Sequence, residues 1–452
     1  MAAPAPPSDL PSLMGRGISC QRKGDLQGAI DLYRQVVAQD HRVHAAWGNM
    51  GVALRTLGKS EAALACQLRA AALKQDDAGI LSNLGNAFRD CGRHAEAEAA
   101  LRKAVELKPD TAEYWNNLGL VWRDANRPAE CLKALDKALA LRPEYPEALW
   151  DKALTLMMMG DYKQGFPAYE ARWGLEKSPP RQFPMPRWQG QPLAGKTLFL
   201  HDEQGFGDAL QFARFVGPVA KMGARIVLEC QPQLARLFAA LPGVAQVVPR
   251  GAMVEGADYW APLLSLPGIM KLGHDDLMAD QPYLRPVSAP RARVTDDKRL
   301  KVGLVWAGKM TPRDRSIPLE RLLPLAADPR LLLLSLQMGD RAQDIDRLHV
   351  RSMMGDLSPA IGDFADTAAL LAQIDLLVSI DTSVVHLAGA MGVPTFMPLL
   401  HYSDWRWGVN GDTTPWYASL KLFRQARYGD WQAPLDALFQ AVGAKLAAHR
   451  QD

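Results

Sequence analysis

From about Leu10 to Gly174, apolar residues return at i, i+3, i+4 and i+7, the stripe of an amphipathic helix. Gly24, Gly58, Gly92 and Gly160 interrupt it, each able to take the positive φ of a helix C-cap. The helices repeat one another. Trp47, Leu81, Trp115 and Leu149 stand 34 residues apart, as do Gly17, Gly51, Gly85 and Gly119. Ala63, Ala97, Cys131 and Gly165 fill a third, small-residue position, and Pro109 and Pro143 close two units. Small residues let paired helices approach, and large ones fill the space between pairs. The last unit, Pro146 to Gly174, dissolves into a proline-rich stretch that reads as a linker to about Gly195.

At Lys196 the period changes. Lys196 to His201, Ile226 to Cys230 and Gln246 to Val248 read as short apolar strands. After a polar, proline-containing stretch, Val302 to Ala307, Leu331 to Gln337 and Leu376 to Ile380 repeat the pattern, each followed by a loop and a helical segment. Alternation of buried strands with helices predicts doubly wound α/β domains. The predicted organisation is a disordered tail over 1–9, helical repeats over 10–174, a linker over 175–194, and α/β halves over 195–290 and 298–452. A ligand cleft is expected between the halves, at the carboxyl ends of the strands.

Composition narrows the function. With 52 Lys and Arg against 49 Asp and Glu, the net charge of +3 argues for neither nucleic acid nor a membrane surface as partner. The longest apolar run, Leu331 to Leu336, is too short to span a bilayer. The start, MAAPAPPSDLP, lacks the basic and apolar regions of a signal peptide. Cys20, Cys66, Cys91, Cys131 and Cys230 have no metal-ligand spacing and read as free thiols in a reducing compartment, so a cytoplasmic protein is expected.

The repeat pattern resembles the tetratricopeptide repeat. Solenoids of this type hold another polypeptide, which implies a protein partner. Arg55, Asn83, Asn86, Arg89, Asn116, Asn117 and Arg123 fall on the first helices of successive units, the concave face of such an array. An amide both donates and accepts, so these side chains are the candidate acceptor-binding set; a solvated face without ligand is the alternative.

Two literal motif matches are set aside. Gly190 to Thr197 spells a phosphate loop, but it follows a linker and runs into a strand, where a phosphate loop needs a strand before it and a helix after it. Asp344 and Asp346 look like a metal pair but sit in a helical polar stretch, read as a solvated face. More informative is Asp381-Thr382-Ser383 at the end of a strand, with His386 one turn into the next helix. The unpaired N–H groups of that helix start suit a diphosphate.

Residues from about Gly195 to the C-terminus resemble the heptosyltransferase-type GT-B glycosyltransferases, in particular the soluble bacterial kind fused behind tetratricopeptide repeats. The matching pieces run from Asp202 to Phe212, Val305 to Gly308, Asp314 to Pro318, Ser335 to Gln337, Asp363 to Thr367, Asp381 to Gly389 and Asp404 to Trp407. The loop from Gly308 to Arg315 is shorter than is common there. The resemblance implies an inverting, metal-independent transferase with no cofactor beyond a nucleotide-sugar co-substrate. Asp208 is then the catalytic base, its other reading being a helix N-cap, and Lys309 and Arg315 steady the leaving phosphates. The donor is expected to meet Gly205, Gly207, Gln211, Trp306, Gly308, Arg313, Ser316, Gln337, Asp363, Asp366, Thr367, Asp381, Thr382, Ser383, His386, Trp405, Arg406 and Trp407. The acceptor implied is a protein of the flagellin kind presented by the repeats. The alternatives are a lipid-linked or lipopolysaccharide precursor, and a non-catalytic nucleotide-sugar-binding scaffold.

Overall fold

Ten helices open the chain in five antiparallel pairs: α1 (Leu10–Arg22) with α2 (Leu26–Gln39), α3 (His44–Thr56) with α4 (Ser60–Leu73), α5 (Ala78–Asp90) with α6 (His94–Leu107), α7 (Ala112–Asp124) with α8 (Pro128–Leu141), and α9 (Pro146–Met158) with α10 (Tyr162–Ala168). The computed structural model describes residues 9–176, 179–252, 254–294, 298–309 and 314–449, so the expected tail lies outside the described residues apart from Asp9. Each glycine foreseen as a C-cap has positive φ, and Asn126 (φ 56°) fills that place in the fourth unit. The mid-helix glycines mark the closest approaches: a Cβ on Gly85 would lie 2.5 Å from the Leu101 side chain. Leu84, Phe88, Leu101, Leu118, Trp122 and Leu135 join in one core that runs across several units. An ion-pair ladder links neighbours, Arg55 to Asp90 (2.6 Å), Arg89 to Asp124 (3.7 Å) and Arg123 to Asp151 (2.8 Å).

The chain divides into two compact units, one up to Thr155 and one from Leu156. The second holds two parallel sheets of Rossmann-like form. In the first, β1 (Thr197–His201), β2 (Arg225–Cys230), β3 (Val244–Pro249) and β4 (Tyr259–Pro262) lie in the order β3-β2-β1-β4, with α11 (Phe206–Phe212), α12 (Val216–Ala220), α13 (Pro232–Phe238) and α14 (Leu266–Ile269) between and after them. The second is β10-β9-β8-β5-β6-β7, built from β5 (Leu300–Val305), β6 (Leu331–Ser335), β7 (Met354–Asp356), β8 (Leu376–Ser379), β9 (Thr395–Leu399) and β10 (Leu420–Arg424). Its helices are α15 (Asp344–Arg347), α16 (Phe364–Leu371), α17 (Ser383–Met391) and the closing α18 (Gln432–His449). Every strand pairing within the two sheets is parallel. Val302, Leu304, Leu333, Leu376 and Val378 form a continuous apolar layer, as expected of strands covered on both faces.

The structure departs from the sequence expectations in three places. Residues 179–194, part of the stretch 175–194 read as a linker, lie against the first sheet: Trp188 is buried and exchanges backbone bonds with the Trp260 region, and Arg181 pairs with Glu229. Asp344, read as part of a solvated face, is buried and accepts hydrogen bonds from Trp306 Nε1 (2.9 Å) and Arg341 Nε (2.8 Å); only Asp346 is exposed. Strands β4, β7, β9 and β10 have no counterpart among the expected strands. The literal phosphate-loop match does run into a strand, with Thr197 opening β1.

Candidate active site

Helix α11 follows β1 and helix α17 follows β8, so each begins at the carboxyl end of its strand, and the two helices pack on each other. The contact is close because Gly207 has no side chain: a Cβ there would lie 2.8 Å from the His386 ring. Asp208 occupies the first turn of α11. One carboxylate oxygen accepts the Gly205 N–H (2.9 Å), and the other accepts from Arg406. Arg406 is buried, and it also donates to Gln211 Oε1 and to Asp404 Oδ1 (2.8 Å). Burial pushes the Asp208 carboxyl above its usual range, with the Arg406 charge opposing. That is the direction a proton acceptor near neutral pH requires.

His386 lies beside this pair. Its ring stacks on Trp407 (5.3 Å), and its Nδ1 is 3.0 Å from the Tyr417 hydroxyl. Burial, followed by the Arg406 charge, lowers its pKa to about 3, so it is a neutral imidazole at physiological pH. Gln211 Nε2 and Trp407 Nε1 are buried donors without a hydrogen-bond partner. An orphaned buried donor costs about 1–3 kcal/mol, and a ligand oxygen would recover it.

At the start of α17, Asp381 accepts from Arg315 (2.7 Å), and Thr382 is the N-cap with no side-chain hydrogen bond to the helix. Gly308 N–H donates to Ser316 Oγ (3.3 Å), and Gly308 faces the Thr382 methyl. Lys309 is exposed. Arg313 lies outside the described residues. The α17 N-terminus, with Arg315 held beside it by Asp381, is an arrangement that can accept a diphosphate.

Other expected donor residues are occupied elsewhere. The Trp306 side chain, expected to line the donor site, is fully enclosed in the core and donates to Asp344, because β5 turns it inward. Gln337 accepts the backbone N–H groups of Trp306 (3.0 Å) and Ala307 (2.8 Å), fixing the end of β5. Asp363 caps α16 through Ala365 N and Asp366 N, and Thr367 donates to its carbonyl. Asp363 and Asp366 both pair with Arg236 of α13, so these carboxylates tie the two sheets' helices together. Trp405 packs in an aromatic cluster with Tyr162 and Trp416. Tyr417, Arg236 and Asp404 are additions to the expected site residues. Asp404 had a signal, since it stands two residues before Arg406, whereas Tyr417 and Arg236 become neighbours of the site only through the fold.

In the repeats, Arg55, Arg89 and Arg123 are engaged in the ladder. Asn117 donates to Ser82 Oγ (3.0 Å), while Asn86 Oδ1 and Asn116 Oδ1 are buried acceptors without a partner. Among the described residues no group of His, Cys, Asp or Glu is placed to hold a metal ion, and no helix is long and apolar enough to cross a membrane.

Comparison with known proteins identifies the helical part. Models described as "TPR repeat" and "Tetratricopeptide repeat" match residues 85–122, 112–145 and 15–78, so the chain carries tetratricopeptide repeats. Protein FlbA of Caulobacter vibrioides is 28% identical over 329 residues, covering 64% of this chain and 54% of FlbA. The chain therefore spans about half the length of this curated relative, and the match is longer than the repeats alone could supply. Solved structures that resemble it include MamA (21% identical, 39% of this chain and 98% of MamA, TM-score 0.31) and Pseudomonas aeruginosa PilF (21%, 38% and 78%, TM-score 0.33). A third is YrrB, described as a TPR protein with an unusual peptide-binding site (17%, 36% and 82%, TM-score 0.29).

Proposed function

We propose that the chain is a glycosyltransferase of GT-B type that moves a sugar from a nucleotide-sugar donor to a protein acceptor bound by the repeats. The observation that carries this reading is the meeting of Asp208, after β1 of the first sheet, with His386, after β8, and Arg406, after β9, of the second. In the proposed reaction Asp208 takes the proton of an acceptor hydroxyl, whose oxygen attacks the anomeric carbon. The sugar–phosphate bond breaks, the configuration inverts, and the electron pair leaves with the diphosphate toward the N-terminus of α17. In this reading Arg315 and Lys309 offset that charge, and the contact of Arg315 with Asp381 at the start of α17 supports its part. The unpartnered amide oxygens of Asn86 and Asn116 support a peptide ligand, since each can accept a main-chain N–H.

Asp208, whose other expected role is an N-cap, instead stands in the first turn of α11, accepts the N–H of the N-cap Gly205 and is held by Arg406. This structural engagement favours a second reading, a scaffold that binds nucleotide sugar without turnover. A panel of nucleotide sugars tested for thermal stabilisation separates binding from its absence. Asp381→Ala and His386→Ala should each abolish the shift of the ligand that stabilises the parent. If no nucleotide sugar raises the melting temperature, both readings fail; if one does and no protein acceptor is ever modified, the scaffold reading stands.

A further inference from the structure

We infer that the segment from Tyr162 to Gly174, which closes the fifth repeat, positions the loop that leads into Asp208 and the turn that carries Arg406, with Tyr169 and Arg172 as its positioning residues. This rests on the site proposed above. The residue that anchors it is Arg172, which is 1% exposed. A guanidinium has five N–H donors, and all five are used. They go to the two Glu203 oxygens (3.0 and 2.9 Å), Ser265 Oγ (2.7 Å), Glu170 Oε1 (2.9 Å) and the Tyr169 carbonyl (3.0 Å). Glu203 stands in the loop between β1 and α11, two residues before the Gly205 that Asp208 caps.

Tyr169 reaches both sheets. Its hydroxyl lies 3.3 Å from Gln204 Oε1, in the same loop as Glu203, and its ring lies 6.3 Å from that of Trp405, next to Arg406. Tyr162 extends the second contact by accepting the Trp416 indole N–H (3.2 Å). One short helix and the 3-10 turn after it thus hold the loop before α11 and the turn at Trp405, and the segments that follow these contacts meet at the Asp208–Arg406 pair. A rigid support of this kind is what a site needs to keep base and cation in register. Simple packing would bury the aromatic rings, but it would not require both oxygens of Glu203 and every donor of Arg172.

Hydrogen exchange on the full-length chain tests the inference without needing a substrate. Tyr169→Phe removes one hydroxyl and keeps the ring, and Arg172→Lys keeps the charge and loses the fork. Each should raise exchange in the 202–208 peptide roughly fivefold, the scale of one lost hydrogen bond, and leave β8 and β9 at the parent rate. Parent-like exchange at 202–208 in both variants, or a uniform rise across the second unit, would overturn the inference. With a nucleotide sugar that the parent turns over, both variants should lower kcat and leave the donor KM unchanged; a change confined to KM would also overturn it. If the parent turns over none, the transferase reading has failed and the exchange result alone decides this one.

Discussion

Replacing Asp208 by Asn separates three roles that meet in one side chain. The amide oxygen of Asn can still accept the Gly205 N–H, so the start of α11 stays capped and a pure cap role predicts a stability change within about 0.5 kcal/mol. The structure adds a charge partner. Arg406 is buried, and neutralising Asp208 leaves it with Asp404, whose side chain is 37% exposed, and with the neutral Gln211. Breaking a buried pair outright costs about 3–5 kcal/mol; with one carboxylate remaining, a loss of about 1–3 kcal/mol is expected. For a unit of this size that lowers Tm by about 2–6 °C. Scanning calorimetry measures the shift, and transfer assayed with the stabilising nucleotide sugar should fall about 10²–10⁴-fold while donor affinity holds. A variant that melts with the parent would refute the ion-pair reasoning. One that melts lower yet transfers at the parent rate would refute the assignment of Asp208 as base.

Gly207→Ala should cost about 1–3 kcal/mol in urea unfolding, because the new methyl meets His386, whereas Gly443→Ala, with open space around it, should stabilise α18 by about 0.5–1 kcal/mol. Acid should weaken the second unit. Burial lowers His201 to about 4 and His386 to about 3, below the unfolded value near 6.5, so stability is full above that pH and falls as pH drops toward 4, at up to about 1.4 kcal/mol per pH unit for each histidine. Urea midpoints at pH 7, 6 and 5 measure this, and a flat profile contradicts it. Burial pushes the Cys131 thiol up to about 11 and Cys230 up to about 12, so iodoacetamide at pH 8 should spare both until the protein is unfolded, as mass spectrometry of the digested protein would show.

The helical register was legible because every unit repeats it, and a 34-residue period averages out local ambiguity. Strands β1, β2, β3, β5, β6 and β8 were legible as apolar runs between helices. The four missed strands lack that signal for different reasons. β7 has three residues, β4 and β9 contain Pro262 and Pro398, and β10 alternates Leu, Lys, Leu, Phe, Arg, as a partly solvated edge does. At the site, the helix start at Asp381 and the Gly-Phe-Gly turn could be read from local order. The pairing of Asp208 with Arg406 could not, since 198 residues separate them. Trp306 misled because an aromatic at a strand end looks alike whether it turns toward the ligand side or into the core.

The arginine ladder makes the solenoid editable in whole units. Asp90 and Asp124 occupy the same repeat position, each 35 residues beyond its arginine. Excising residues 78–111 would therefore bring Asp124 to the place Asp90 now holds beside Arg55, and the joint would close on an unchanged pair. Excision of any other length would set an arginine against the wrong turn. The final joint is not interchangeable: the partner of Arg123 comes 28 residues on, at Asp151, two turns earlier in its helix. Units can be added or lost along the array, then, but the terminal one fits only where it stands.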